Sequence, residues 1–158
     1  MTKAPQLGTA VLLSNEGPDH SNRLLEHLAW ADRFVCVVAF AKMTGLSLFA
    51  VRPKKRLAKG MRATFVIGLD FYQTQPELLT ELMKLKDVGD VEVYMGAIGR
   101  NSTFHPKLYL FQTDAETRTI IGSANMTMGG LRSNHEMSAE LAGQGAGLAK
   151  KVTDGFMV

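Results

Sequence analysis

The stretch Phe104-His105-Pro106-Lys107-Leu108-Tyr109-Leu110-Phe111 decides the fold, together with the apolar run beyond it. After a polar turn at Asp114-Ala115-Glu116 come Thr119-Ile120-Ile121 and then Gly122-Ser123-Ala124-Asn125. Successive side chains of a strand point to opposite faces, so His105, Lys107 and Tyr109 share one side. Thr119-Ile120-Ile121 is the expected hairpin partner. It carries Gly122-Ser123-Ala124-Asn125 back to the sheet end from which His105 and Lys107 start. An imidazole, an ammonium, a hydroxyl and an amide then converge.

Each of these groups suits the cutting of a phosphate diester without a metal. An imidazole attacks phosphorus or passes a proton near neutral pH. A lysine supplies positive charge for the non-bridging oxygens, and an Asn amide adds donors where negative charge builds in the transition state. Gly122 lets a backbone approach an anion closely. Glu136, in the run His135-Glu136-Met137-Ser138-Ala139-Glu140-Leu141, is placed to accept from the far nitrogen of a histidine and fix its tautomer.

From Phe104 to Leu141 the chain resembles the phospholipase D superfamily signature, H-x-K followed by G-S-x-N. Within that superfamily it resembles the nuclease branch, with the extended form G-S-A-N-x-T-x-x-G-L-x-x-N-x-E, here spelled out from Gly122 to Glu136. One position departs: the usual H-x-K-x-x-x-x-D would put an aspartate at 112, where this chain has Gln112, and Asp114 falls in the turn. Restriction-endonuclease-like members commonly lack that aspartate too, and an Asn with a downstream Glu completes their site. The resemblance therefore implies catalytic roles for His105, Lys107, Asn125 and Glu136, with Ser123 as phosphate-binding support. It implies a phospholipase D-like fold, no metal and no cofactor.

The implied mechanism is a phosphohistidine intermediate, in which one histidine attacks phosphorus, a second protonates the leaving oxygen, and water releases the product. This chain has a single H-x-K, so a complete site needs two copies. The expectation is a homodimer with His105 of each subunit at the two-fold axis. Two alternatives stay open: a phospholipid-processing phosphatidyl transferase, and a catalytically silent DNA-binding or dimerisation module, for which Gln112 is the hint.

At 158 residues and 46% hydrophobic content, the chain is expected to be one domain spanning 1–158 with its own core. The lone Cys36, in Phe34-Val35-Cys36-Val37-Val38, points to a buried thiol in a reducing compartment. No Cys/His group has zinc spacing, the N-terminus lacks the apolar core of a signal peptide, and no apolar run reaches the ~20 residues that span a bilayer. The expectation is a cytoplasmic protein with no membrane association. The net charge is only +3, but between Asp32 and Asp70 there are eight basic residues and no acidic one. Arg52, Lys54, Lys55, Arg56 and Lys59 are the densest part of that run. Charge of one sign concentrated in this way is the footprint expected for DNA, with a steep loss of activity as salt rises. The same run also reads as a solvated helix face.

Along the chain, strands are expected at Thr9–Leu13, Arg33–Phe40, Arg62–Leu69 and Val91–Met95, and in the hairpin and around Glu136–Leu141. Helices are expected at His20–Ala31, in pieces over Thr44–Lys59 with a break near Pro53, at Pro76–Lys86, as a short turn near Met126–Arg132 and at Gly145–Thr153. A Gly-rich loop fills 96–102. Strand–helix alternation followed by adjacent strands gives an α/β fold, a mixed β-sheet flanked by helices on both faces. His20 and His27 read as surface or capping residues and His135 as structural. Trp30, Met126 and Met128 read as packing rather than a base-stacking platform. Nothing in the sequence specifies a cleavage site. A restriction enzyme built on this domain would take recognition from a separate domain or subunit, and the ending Asp154-Gly155-Phe156-Met157-Val158 suits a domain cut from a longer protein.

Overall fold

In the computed structural model, residues 9–17, 19–96, 102–144 and 154 are described. They form one seven-stranded mixed sheet. Its strands are β1 (Thr9–Ser14), β2 (Arg33–Val38), β3 (Arg62–Ile67), β4 (Val91–Met95), β5 (Lys107–Gln112), β6 (Glu116–Gly122) and β7 (Met137–Gln144), in the spatial order β1-β7-β6-β5-β2-β3-β4. β2, β3 and β4 are parallel, as the intervening helical segments require, whereas β5–β6–β7 is an antiparallel meander whose edge is closed by β1. The expected hairpin is present, with Leu108 opposite Ile121 and Gln112 opposite Thr117. The predicted Gly145–Thr153 helix and most of the 96–102 loop lie outside the described residues.

Helices α1 (His20–Leu28), α2 (Met43–Ser47), α3 (Val51–Leu57) and α4 (Pro76–Lys84) contribute Leu24, Leu28, Leu46, Leu57, Leu78 and Leu82 to one apolar cluster with Phe34, Cys36, Val38, Phe65 and Phe111. The alternate strand residues Val35, Val37, Val66, Leu108 and Leu110 form a second cluster with Phe104. Period-two alternation thus separates two buried faces, which is why β2 is apolar from Phe34 to Val38. The helical break expected at Pro53 falls earlier, between Ser47 and Val51. Pro53 sits in the first turn of α3, where its missing N–H costs nothing.

His20 and His27 are not surface residues. α1 is capped by Asp19, whose carboxylate accepts from Asn22 N, and the helix packs both imidazoles inward. His20 Nδ1 lies 2.6 Å from Asn15 Oδ1, and its Nε2 lies 2.9 Å from Ser138 Oγ. The Asn15 oxygen can only accept, so Nδ1 carries the proton and Ser138 donates to Nε2. Burial lowers the His20 pKa, although the Glu136 and Asp19 charges pull the other way. His27 Nε2 lies 3.1 Å from Glu140 Oε2, and Arg23 grips the same carboxylate at 2.5 and 2.9 Å.

That buried carboxylate makes the acid stability testable. Burial alone would raise the Glu140 pKa, but the His27 and Arg23 interactions outweigh it and hold it at about 2, against an ordinary 4.5. A carboxyl with a depressed folded pKa stabilises the fold fully above the unfolded value and loses that contribution as pH falls through the folded one. The window is therefore pH 4.5 down to 2, and the contribution is about 3 kcal/mol at neutral pH. Glu140→Gln should lose about that much in urea unfolding at pH 7 and show a flatter acid limb. Equal stability of the two proteins at pH 7 would remove Glu140 from the stability of the fold.

One local feature runs against intrinsic preference. The tight turn Asp70–Tyr72 holds Phe71 at φ 59° and Tyr72 at φ 54°, two consecutive bulky residues in the left-handed region. Each such residue costs on the order of 1–3 kcal/mol unless its surroundings enforce it. Asp70 Oδ2 accepts from Phe104 N at 2.7 Å, and Thr74 Oγ1 bridges Gly68 O at 2.7 Å and Ala41 N at 3.2 Å, so both ends of the turn are tied to the sheet.

Candidate active site

The residues singled out in the sequence share one end of the sheet. Val38 at the close of β2 faces Lys107 at the start of β5, and Gly122 at the close of β6 faces Ser138 near the start of β7. The segment before β5 is fixed by Ala39 N donating to Pro106 O at 2.8 Å. His105, Lys107, Ser123, Asn125 and Glu136 are all brought to this end.

His105 is exposed, and Lys107, two residues on, is only 9% exposed. Lys107 Nζ lies 2.6 Å from His105 Nδ1, 3.1 Å from Nε2 and 3.0 Å from the His105 carbonyl oxygen. An ammonium only donates, so the ring nitrogen nearest to it accepts and keeps a lone pair at the site. Burial pulls the Lys107 pKa down and the Glu136 charge opposes it. Tyr109, on the same side of β5, is buried and donates its hydroxyl to Ala124 O at 3.0 Å. It thereby props the Gly-Ser-x-Asn turn from beneath.

Asn125 Oδ1 accepts from Phe40 N at 3.0 Å. Because Phe40 N–H can only donate, the Asn125 amide must turn its oxygen there, which leaves the NH2 group free for an anion. Asn125 and Glu136 line an open cleft of about 410 Å³ with Phe40, Lys42, Gln73 and Asn134. In the sequence Lys42 is merely one of eight basic residues. Its place in the cleft depends on the long-range bridge between Ala41 and Met126.

Glu136 makes no hydrogen bond to His105. Its carboxylate takes the Ser123 hydroxyl in a short hydrogen bond and the Asn134 amide at 3.4 Å, and Ser123 Oγ also accepts from Met137 N at 3.0 Å. The tautomer-fixing role expected for Glu136 is therefore not made in one chain. Ser123 is a partner of Glu136 rather than an open phosphate donor, because a hydroxyl has one proton to give. Gly122 also serves a different close approach from the expected one. A Cβ there would collide with Met137 O, so the glycine admits β7 and not an anion.

Gly130 does the same for Asn125. A Cβ on Gly130 would collide with Asn125 O, in the π-helical turn Gly129–Ser133 that occupies the place of the expected short helix. Gly130→Ala should displace Asn125 and cost about 1–3 kcal/mol in urea unfolding, together with most of the activity. An active variant of unchanged stability would show that Asn125 is not held by this contact.

The remaining sequence candidates lie elsewhere. Gln112 ends β5 opposite Arg33, five residues and roughly 17 Å from Lys107 along the strand, so its departure from the family pattern does not touch the site. Arg56, expected at DNA from its charge run, donates to Ala31 O at 2.8 Å, Trp30 O at 3.3 Å and Asp32 Oδ1 at 3.0 Å. It staples α3 to the sheet end remote from His105, and its guanidinium is occupied there rather than offered to a phosphate. Arg52, Lys54, Lys55 and Lys59 are exposed around it. His135 is exposed, 3.1 Å from Glu16. Among the described residues, no three His, Cys, Asp or Glu side chains are grouped to hold a metal, and no helix is long and apolar enough to cross a membrane.

A single mixed sheet that gathers a His-x-Lys strand start and a Gly-Ser-x-Asn strand end at one end of its central strands defines a phospholipase D-like domain. Residues 42–157 match the family described as "Cardiolipin synthase, PLD-like domain", and the chain belongs to that family. Similar solved structures include NucT from Helicobacter pylori (16% identity, TM-score 0.63, covering 84% of this chain and 84% of that one). They also include Nuc, a phospholipase D family member from Salmonella typhimurium (15%, TM-score 0.59, 92% and 90%). The polyphosphate kinase of Porphyromonas gingivalis shares the fold over 92% of this chain but 25% of its own (11%, TM-score 0.60). No curated protein matches the sequence.

Proposed function

We propose that the chain is a metal-independent phosphodiesterase that cleaves DNA through a covalent phosphohistidine on His105. The observation that carries this reading is the exposed His105 ring with Lys107 Nζ 2.6 Å from its Nδ1, at the same strand ends as the free Asn125 amide. When a phosphate enters, the Lys107 ammonium transfers its hydrogen bonds from the ring to a non-bridging oxygen, and the freed lone pair faces phosphorus. Asn125 binds a second oxygen. Glu136 holds Ser123 and Asn134 in place and supplies negative charge near Lys107.

The leaving oxygen needs a proton from an acid on the opposite side of phosphorus; of the other histidines, His20 and His27 are buried, and the exposed His135 is turned to Glu16 at 3.1 Å. A second subunit related by a two-fold axis supplies one: its own His105. Glu136, unbonded to His105 within the chain, leaves that ring open to such a partner. Arg52, Lys54, Lys55 and Lys59 would meet DNA only on a footprint reaching about 20 Å from the site, the length of a six-residue strand. A restriction role would add a recognition domain or subunit, and the cytoplasm is the proposed compartment.

The test is cleavage of supercoiled plasmid in excess EDTA. Nicked or linear product is the expected result. No cleavage by a folded protein, with EDTA or with added divalent metal, would return the reading to a silent binding module.

A further inference from the structure

We propose that Phe71 and Tyr72 form a stacking rim for an unpaired nucleobase next to the scissile phosphate, so that the preferred substrate is single-stranded or locally opened DNA. The proposal rests on the nuclease reading and adds its substrate class. The two aromatic side chains are 64% and 100% exposed, on the strained turn tied to Phe104 through Asp70. They are not isolated from the chemistry. The Phe71 ring meets Phe40 edge-on with centroids 6.3 Å apart, and Phe40 meets His105 edge-on at 5.7 Å, which makes an unbroken aromatic path from the rim to the reacting ring.

The next residue along the chain, Gln73, lines the cleft with Lys42 and Asn125. Cations for a phosphate and π faces for a base therefore adjoin, which is the combination that single-strand binding uses. The ordinary use of aromatic residues is burial, yet here the backbone adopts an unfavourable left-handed pair that holds both rings in solvent. A duplex keeps its bases stacked on one another and leaves none for the rim; an unpaired base has a free face.

The experiment measures binding of a fluorescent single-stranded 15-mer, and of the same sequence as duplex, to a His105→Asn protein in EDTA. Phe71→Ala/Tyr72→Ala in that background should weaken single-strand binding roughly ten- to hundredfold, and duplex binding much less. A scan of abasic positions should find one whose loss costs the parent protein as much as the double substitution does and costs the double variant nothing further. Tyr72→Trp should bind as well as the parent. Equal affinity of parent and double variant, equal losses on single strand and duplex, or an undiminished abasic penalty in the variant would each overturn the rim. So would conversion of a dimer to a monomer by the double substitution in sedimentation, since the rings would then belong to a subunit contact. The nuclease reading is judged separately, by plasmid cleavage with the wild type. Base-dependent binding without cleavage would leave the rim standing and remove the enzyme.

Discussion

His105→Ala should lower DNA cleavage in EDTA by at least about 10⁴-fold, with folding and DNA binding largely kept, because removal of an attacking group takes away the reaction path and not merely a contact. The ring is exposed and packs edge-on against Phe40 only at its rim, so its loss leaves the buried cores intact. The chemistry also predicts a trapped species. The lone pair of the ring nitrogen forms the P–N bond, the P–O bond to the leaving oxygen breaks, and that oxygen takes a proton from the second imidazole. Water then gives a proton to that now neutral second imidazole and adds to phosphorus, and the P–N bond breaks to release the His105 ring. Rapid quenching in alkali, where a phosphoramidate survives, should leave labelled DNA attached to wild type and none on His105→Ala. Residual cleavage within about tenfold of wild type would exclude attack through this ring. Lys107→Ala should lose less, about 10²–10³-fold, as expected for a group that stabilises charge without forming a bond.

Equimolar mixing of wild type and His105→Ala, with subunits exchanged, should reduce activity to about a quarter of that of the same total of wild-type protein. In the proposed shared site, only dimers with two intact histidines carry both nucleophile and acid. Independent subunits would retain about half. The dilution behaviour has the same origin: activity per subunit should fall once the concentration drops below the dimer dissociation constant. A result of one half, or an active monomer in sedimentation, would sink the shared site and require the acid to come from within the chain.

The expected strand over Phe104–Phe111 begins only at Lys107, with His105 just before it, but its pairing with Thr119–Ile121 is written in a period of two and a polar turn, and the same local pattern places His105, Lys107, Ser123 and Asn125 at one sheet end. Those features depend on neighbours a few residues away, so the sequence carries them directly. The motif picks out Glu136 but not its partner: its carboxylate meets Ser123, thirteen residues earlier, only through the β6–β7 register. His20 and His27 look like surface residues in the sequence because their partners, Ser138 and Glu140, lie more than a hundred residues away on a strand that α1 happens to cover.

Charge counting cannot tell that α3 sits at the far end of the sheet, since the crossover direction of a parallel β2–β3 unit sets that, nor that Lys42 enters the cleft while Arg56 turns to backbone carbonyls. By itself, then, the sequence determined which chemical groups this protein has and which strand ends bear them, because both follow from local periodicity. Only the tertiary structure decided which of those groups touch, which are buried and which aromatic rings stand in solvent beside them, because these follow from register and packing between segments far apart in the chain.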